Sequence, residues 1–438
     1  MAANFIQKIQ KTAPRYGDYF GATVKFSYYG STMISTATAF DIVDYNIPTV
    51  SVYTFIDGAY VYHSDLPLPP DLGLSDHSCT YAQINDAGTV IMVSASNYIN
   101  VPSTVGPNGG IWVFHLSDGV WSLVNTITAV PPNNTYVHEN DKFGFFFDLS
   151  GDFKTMIASA PFDDSADDTS GTVYIMETTD DWLTYTVKAE LENVIENKTF
   201  NYFGYNCVVS GDGLCAYSGV YDTVTLKSYV LAYEKIGGVW TYIDTIQTLD
   251  AVQGIHFGNA LSSDVEEYGG VSIATDQSGS TVVIGDYGTS SNSGKFYVFK
   301  KSGSSFTQIY SELADTASSF MGYSVAISRL GNTIIVGAQG EEVGGYFAQG
   351  ATYVYNLDGL GVTFREKISA PYLFNYSYGS FKIGMSPDGN YIGSGSIQDD
   401  SEVGPELLVG SVNVWTNARP PGTRTRKYAI INGKLNIQ

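Results

Sequence analysis

A unit of strands and turns recurs seven times along this 438-residue chain, roughly once every 60 residues. It is clearest from Phe320, where FMGYSVAISRLGNTIIVGAQ is followed by a variable loop and then GATYVYNLDG. The copies can be aligned on the hairpin turn before the TIIVGA-like strand, at Gly30, Gly88, Phe153, Gly213, Gly279, Gly331 and Gly389. The uneven spacing is what loop insertions on a constant scaffold produce.

Each copy contains four strand-like pieces. The first reads YSVAIS, YNCVVS or GFFFDLS, and the second TMISTA, TVIMVSA, TMIASA or TIIVGA. The third carries an aromatic residue beside Val or Ile, and the fourth follows a tight turn with another aromatic. These pieces are β-branched and aromatic, too short for helices, and bounded by Gly, Asn, Asp and Ser. Asp57-Gly58, Asp118-Gly119 and Asp388-Gly389 are hairpin-turn dipeptides. No window sustains a helical period. The expectation is an all-β fold, a seven-bladed β-propeller of four-stranded blades.

The seventh copy has three strands and ends at GSVNVWTN, before ARPPG. The N-terminal NFIQKIQKTAP matches the fourth-strand style of SFTQIYSEL, with Phe5 in the place of Phe306 and Gln7 in that of Gln308. Residues 4–11 are therefore expected to complete the last blade and remove an open sheet edge. This assigns residues 1–416 to the ring and 417–438 to a separate arm.

Acidic residues number 44 against 22 basic ones, a net charge of −22, so the surface repels phosphate backbones and nucleic acid is excluded as a partner. No run of 18 apolar residues is present, so no membrane span is expected. No basic-then-apolar leader is visible, so no signal peptide is expected. Three cysteines, Cys79, Cys207 and Cys215, argue against a disulfide-built scaffold. Cys207 and Cys215 flank one hairpin turn and are read as small buried residues. The arm inverts the charge rule: it holds Arg419, Arg424, Arg426, Lys427 and Lys434 and no acid. Its end, KYAIINGKLNIQ, reads as a small hairpin around Asn432-Gly433 that needs a surface to dock on.

The pattern FG.SVAIS..GNTIIVGA…G..YVY resembles the FG-GAP repeat of integrin α-subunit propellers, in the calcium-free variety. The Phe-Gly pairs are Phe20-Gly21, Phe143-Gly144, Phe203-Gly204 and Phe257-Gly258, with Phe320-Met321-Gly322 and Tyr378-Gly379 as variants. The second copy has Thr80-Tyr81 instead. In integrins the first hairpin turn binds calcium through DxDxDG. Here the turns read SYYGS, NDAGT, SGDFK, SGDGL, SRLGN and SPDGN, too poor in carboxylates for a calcium shell. No cofactor is expected.

Acids gather instead in the loops between second and third strands: Asp163, Asp164, Asp167 and Asp168; Glu341 and Glu342; and Asp399, Asp400 and Glu402. These loops share one face of a propeller, and the resemblance implies that this face meets ligands. The first group is also a calcium candidate. The five histidines fall at unrelated repeat positions, and GxSxG, HExxH and a phosphate loop are absent.

The resulting expectation is a non-enzymatic structural or binding propeller, a capsid or tail component of a virion. It would be docked on a protein assembly through the basic arm, with Glu341, Glu342, Asp399 and Asp400 on its partner face. Two alternatives stay open: a surface adhesin or receptor-like module binding glycan or protein, and a polysaccharide-active enzyme.

Overall fold

The structure, a computed structural model, describes residues 2–11, 14, 17–38, 48–69, 81–96, 109–128, 141–164, 169–196, 198–249, 256–258, 271–372, 375–399 and 409–417, and the backbone of residues 428–431 and 434–437. It consists of seven four-stranded antiparallel sheets, each with its strands in sequence order apart from the seam sheet. One helical turn, Thr289–Asn292, is the only helix among the described residues.

Burial follows each blade outward. The second strands, such as Thr155–Ala160 and Thr333–Ala338, are buried along their whole length, because blades pack on both faces. The fourth strands alternate, as in Ser305–Leu313 and Thr186–Glu190, because one face meets solvent. Apolar clusters fill the gaps between consecutive blades; one combines Ile334, Val336 and Tyr355 with Phe296 and Val298 of the preceding blade.

The Phe-Gly pairs have a packing role. Phe20 forms a parallel bridge with Gly410 of the neighbouring blade, and its N–H donates to Val409 O at 2.9 Å. Gly21 has φ +98°, and a Cβ there would lie 2.6 Å from Ser411 O. A Cβ on Gly410 would lie 2.2 Å from Phe20 O. Two backbones meet where no side chain fits. The same bridge recurs at Gly109–Phe143 and Gly294–Met321.

The N-terminal strand completes the ring as expected. Asn4–Ile9 pairs antiparallel with Ser411–Thr416, giving the sheet a fourth strand outside Gly379–Met385 and Tyr391–Ser396. Phe5 lies edge-on to Trp415, with centroids 5.7 Å apart. The seam also holds a buried ion pair, Lys8 Nζ to Asp399 at 3.1 Å. Tyr428–Ile431 and Lys434–Ile437 form the predicted two-stranded hairpin.

Candidate active site in the axial channel

Seven short strands surround the axis: Phe20–Phe26, Ala82–Ile84, Phe147–Leu149, Cys207–Val209, Ile273–Thr275, Met321–Ile327 and Gly379–Met385. The hairpin turns that follow them are laced together around the axis. Gly151 N–H donates to Gly211 O (2.7 Å), Asp212 to Gln277 O (2.7 Å), Gln277 to Arg329 O (2.8 Å) and Arg329 to Pro387 O (2.9 Å). Asp388 N–H donates to Tyr28 O (3.4 Å) and Tyr28 N–H to Asp86 O (3.2 Å).

The turn carboxylates serve these turns. Ser210 Oγ donates to Asp212 Oδ1, which also accepts Leu214 N–H at 3.0 Å. Ser150 with Asp152 and Ser386 with Asp388 repeat the arrangement. The acids that in integrins would hold calcium here satisfy their own backbone.

Between the turns and the middle of the channel lies a cavity of about 180 Å³, lined by residues of all seven innermost strands or their turns. Most of the lining is apolar or backbone, with charge at Lys25 and Asp148 and, on the turn side, at Asp86, Asp276 and Arg329. Lys25 enters from the first blade, Tyr81 and Gln83 from the second, and Asp148 from the third. Asp148 Oδ1 accepts Gln83 Nε2 at 2.8 Å, and Oδ2 accepts Val209 N–H of the fourth blade at 3.1 Å. Gln83 Nε2 also donates to the Tyr81 hydroxyl at 3.0 Å.

The Lys25 ammonium sits over the Tyr81 ring, 5.0 Å from its centroid, and Lys382 of the seventh blade approaches the same ring at 5.8 Å. Burial pushes Asp148 up to about 6, against the opposing pull of Lys25 and the Val209 N–H. Burial lowers Lys25, partly countered by Asp148. Burial and the neighbouring Lys25 bring Lys382 down to about 7. The Tyr81 phenol is pushed well up, first by burial and then by Asp148, so it stays a neutral donor.

Arg329 crosses the turn end of the cavity. From the sixth blade it binds both oxygens of Asp86 on the second, with Nη2 to Oδ1 at 2.8 Å, and its guanidinium lies 4.9 Å from the Tyr28 ring of the first. Blades two and six are not neighbours, so this ion pair spans the axis. The opposite end is closed by rings. Tyr205, Tyr287, Tyr323 and Phe381 are buried there with Ala22 and Ile397, and Phe145, Phe162 and Phe320 pack against them.

The acidic loop residues sit differently from a displayed patch. Glu341 is 2% exposed and accepts from Ser319 Oγ (2.5 Å), Thr316 Oγ1 (2.8 Å), Tyr353 OH (2.9 Å) and Lys367 Nζ (3.0 Å). Burial pushes its carboxyl up, but these donors together hold it below its usual value. Asp399 is buried at the seam, bound to Lys8 and Ser411. Glu342 is exposed. Asp163 is buried and Asp164 exposed, and with Asp141 they bring three carboxylates within 4.8 Å of one another. Burial, then Asp163 and Asp164, push Asp141 up to about 8. Asp167, Asp168, Asp400, Glu402 and the side chains of Arg419, Arg424, Arg426, Lys427 and Lys434 lie outside the described residues. Cys207 and Cys215 are buried and free. They do not face each other, since Cys207 pairs with Ser218 and Cys215 with Glu234.

No family model matches the chain, and no curated protein does. Solved structures do. A candidate 6-phosphogluconolactonase of Bacteroides uniformis superposes with a TM-score of 0.52 at 13% identity, covering 80% of this chain and 85% of that one. The periplasmic gluconolactonase of Pseudomonas aeruginosa superposes with a TM-score of 0.51 at 14% identity, covering 84% and 89%. At this identity the likeness establishes the fold, a seven-bladed propeller, and not an FG-GAP or integrin-like identity.

The comparison corrects the functional expectation. The sequence reading makes the ring a non-enzymatic virion component, on weak motifs and a basic arm. Both of these solved propellers are named as lactonases, and neither is a capsid or tail part, so nothing in the comparison supports the virion reading. A channel site is assembled from single residues of separate blades, which no local motif records.

Proposed function

We propose that this protein is a hydrolase of small cyclic sugar esters, acting in the axial cavity. The observation that carries this reading is Asp148: a carboxylate facing the cavity, oriented by Gln83 and the Val209 N–H, with a pKa of about 6. Such a group is mostly ionised at neutral pH yet basic enough to take a proton from water. The names of the two propellers of the same fold supply the substrate class.

In this scheme Asp148 accepts a proton as water attacks the lactone carbonyl. The Tyr81 hydroxyl accepts from Gln83 and donates its own proton toward the developing oxyanion. Collapse of the tetrahedral intermediate breaks the ring C–O bond. The departing alkoxide takes the proton held by Asp148, giving the open hydroxy acid. Water and lactone are the only reactants, and the carboxylate is regenerated.

The test is proton release from D-glucono-1,5-lactone, followed at pH 7 and corrected for spontaneous opening. A rate above the uncatalysed one that disappears in Asp148→Asn is expected. No excess rate with gluconolactone or its 6-phosphate would overturn the reading. We further propose FG-GAP-type blades, on the Phe-Gly pairs, whose glycines leave no room for a side chain against the packed strands.

A further inference from the structure

The hydrolytic scheme leaves two lysines unused. Lys382 is 6% exposed, and among the described residues its ammonium has neither an ion pair nor a hydrogen bond. Its neighbours are the Tyr81 ring at 5.8 Å and a second cation, Lys25. Lys25 also lacks an ion pair or hydrogen bond among the described residues, and it lines the cavity 5.0 Å from the same ring. The one carboxylate acting on Lys25 is Asp148, whose two oxygens already accept Gln83 and Val209.

Buried Lys382, partly buried Lys25 and one carboxylate leave this side of the cavity positive, while Asp86 and Asp276 on the turn side are taken up by Arg329 and by Ser280 and Thr281, in a chain whose net charge is −22. A buried charge without a partner is costly, and this acidic protein has had 44 carboxylates from which to supply one. Elsewhere it does so: Lys8 is buried against Asp399, and Lys11 meets Asp18 at 2.9 Å. Of the exceptions, Lys25 lines the cavity, and Lys382 lies behind it, against the same Tyr81 ring and next to the lining residue Ile383.

We propose that Lys25 and Lys382 form a subsite for a compact oxyanion, so that the channel takes a substrate bearing a carboxylate or phosphate group of its own. The inference rests on the hydrolase reading only for the word substrate; the binding itself does not require turnover. Binding is coupled to protonation, because an anion between the lysines stabilises Lys382 in its charged form. The groups facing this pair are Tyr81, which stays neutral, and Asp148, which is already ionised above about 6. Anion affinity therefore weakens as pH rises above about 7, by about tenfold per unit for one linked proton.

Isothermal titration calorimetry of the full chain with sulfate and with gluconate tests this, since neither probe titrates between pH 6.5 and 8.5. Saturable binding of either is expected, weakened at least tenfold by Lys382→Met or Lys25→Gln and unchanged by Lys188→Met at the surface. Tighter sulfate binding points to a phosphate-bearing ligand, and tighter gluconate binding to a carboxylate-bearing one. Wild-type protein that binds neither, or a folded Lys382→Met protein that binds as wild type, overturns the proposal. Anion binding without lactone hydrolysis leaves this inference standing and sinks the hydrolase reading alone.

Discussion

The two ends of the channel are made from the same seven strands and are built on opposite principles. At the strand starts, rings close the axis: Tyr287 meets Tyr323 at 5.0 Å, Tyr323 meets Phe381 at 5.2 Å, and Phe145 meets Tyr205 at 4.9 Å. Such contacts add to burial and have no polar debt beyond the phenols. Toward the turns, the strands present Lys25, Asp148 and Lys382 with shifted acidities. The first end gains stability from its contacts, while the second keeps charges where they oppose folding. Charges held at such a cost are the ground on which the active site is proposed at this end.

A second contrast sharpens the first. Glu341 is 2% exposed, yet four donors hold its carboxyl low. Asp148 has two donors, opens onto the cavity, and is pushed up. At Glu341 the donors outweigh burial, and at Asp148 burial outweighs the donors.

Four changes probe the comparison. Asp148→Asn should lower lactone hydrolysis by on the order of 10²–10⁴-fold, the usual span for a general base. Its melting temperature should not fall, because a charge leaves the cavity; a less stable, fully active variant would break the contrast. Tyr323→Ala at the other end should do the reverse. It should cost about 3–5 kcal/mol in denaturant unfolding and leave the catalytic pH profile in place.

The third change concerns Lys382. Its folded pKa, about 7, lies below the usual 10.5, so the unfolded chain binds more protons between those values. Stability should therefore rise with pH across that window, and the contribution should be lost as pH falls toward about 7. Lys382→Met should flatten this slope in unfolding curves at pH 7 and 9. An identical slope would remove Lys382 from the account. The smallest effect is expected from Arg329→Gln. Its pair with Asp86 is partly exposed, so about 0.5–1 kcal/mol of stability is at stake. The variant should alter KM more than kcat, because Arg329 crosses the turn end and touches no reacting atom in the proposed scheme.

The architecture was legible because it is periodic. The seven copies and their hairpin turns recur often enough to be read, and the strand missing from the seventh copy is matched by Asn4–Ile9 at the other end of the chain. The site was not, although a faint signal is present. The innermost strand pieces are apolar in most copies, yet GATVKF, GFFFDLS and GSFKIG each carry one charge, at Lys25, Asp148 and Lys382. In the ring Lys25 and Asp148 line the cavity, and Lys382 is buried beside them. The loop acids drew attention instead because they cluster in sequence. In the structure Glu341 and Asp399 turn inward to tie loops and seam together.

By itself the sequence determined the strand period, the blade count and the way the ring closes. The first two follow from alternating burial and turn chemistry written within a few residues of one another, and the third from an edge left unpaired in the last copy and matched at the first residues of the chain. Only the tertiary structure decided which residues share the axis. Lys25, Tyr81, Asp148 and Lys382 come from four blades and act on one another only once the ring has closed. Their acidities are then set by shared burial and mutual charge, quantities that exist in the folded ring and nowhere along the chain.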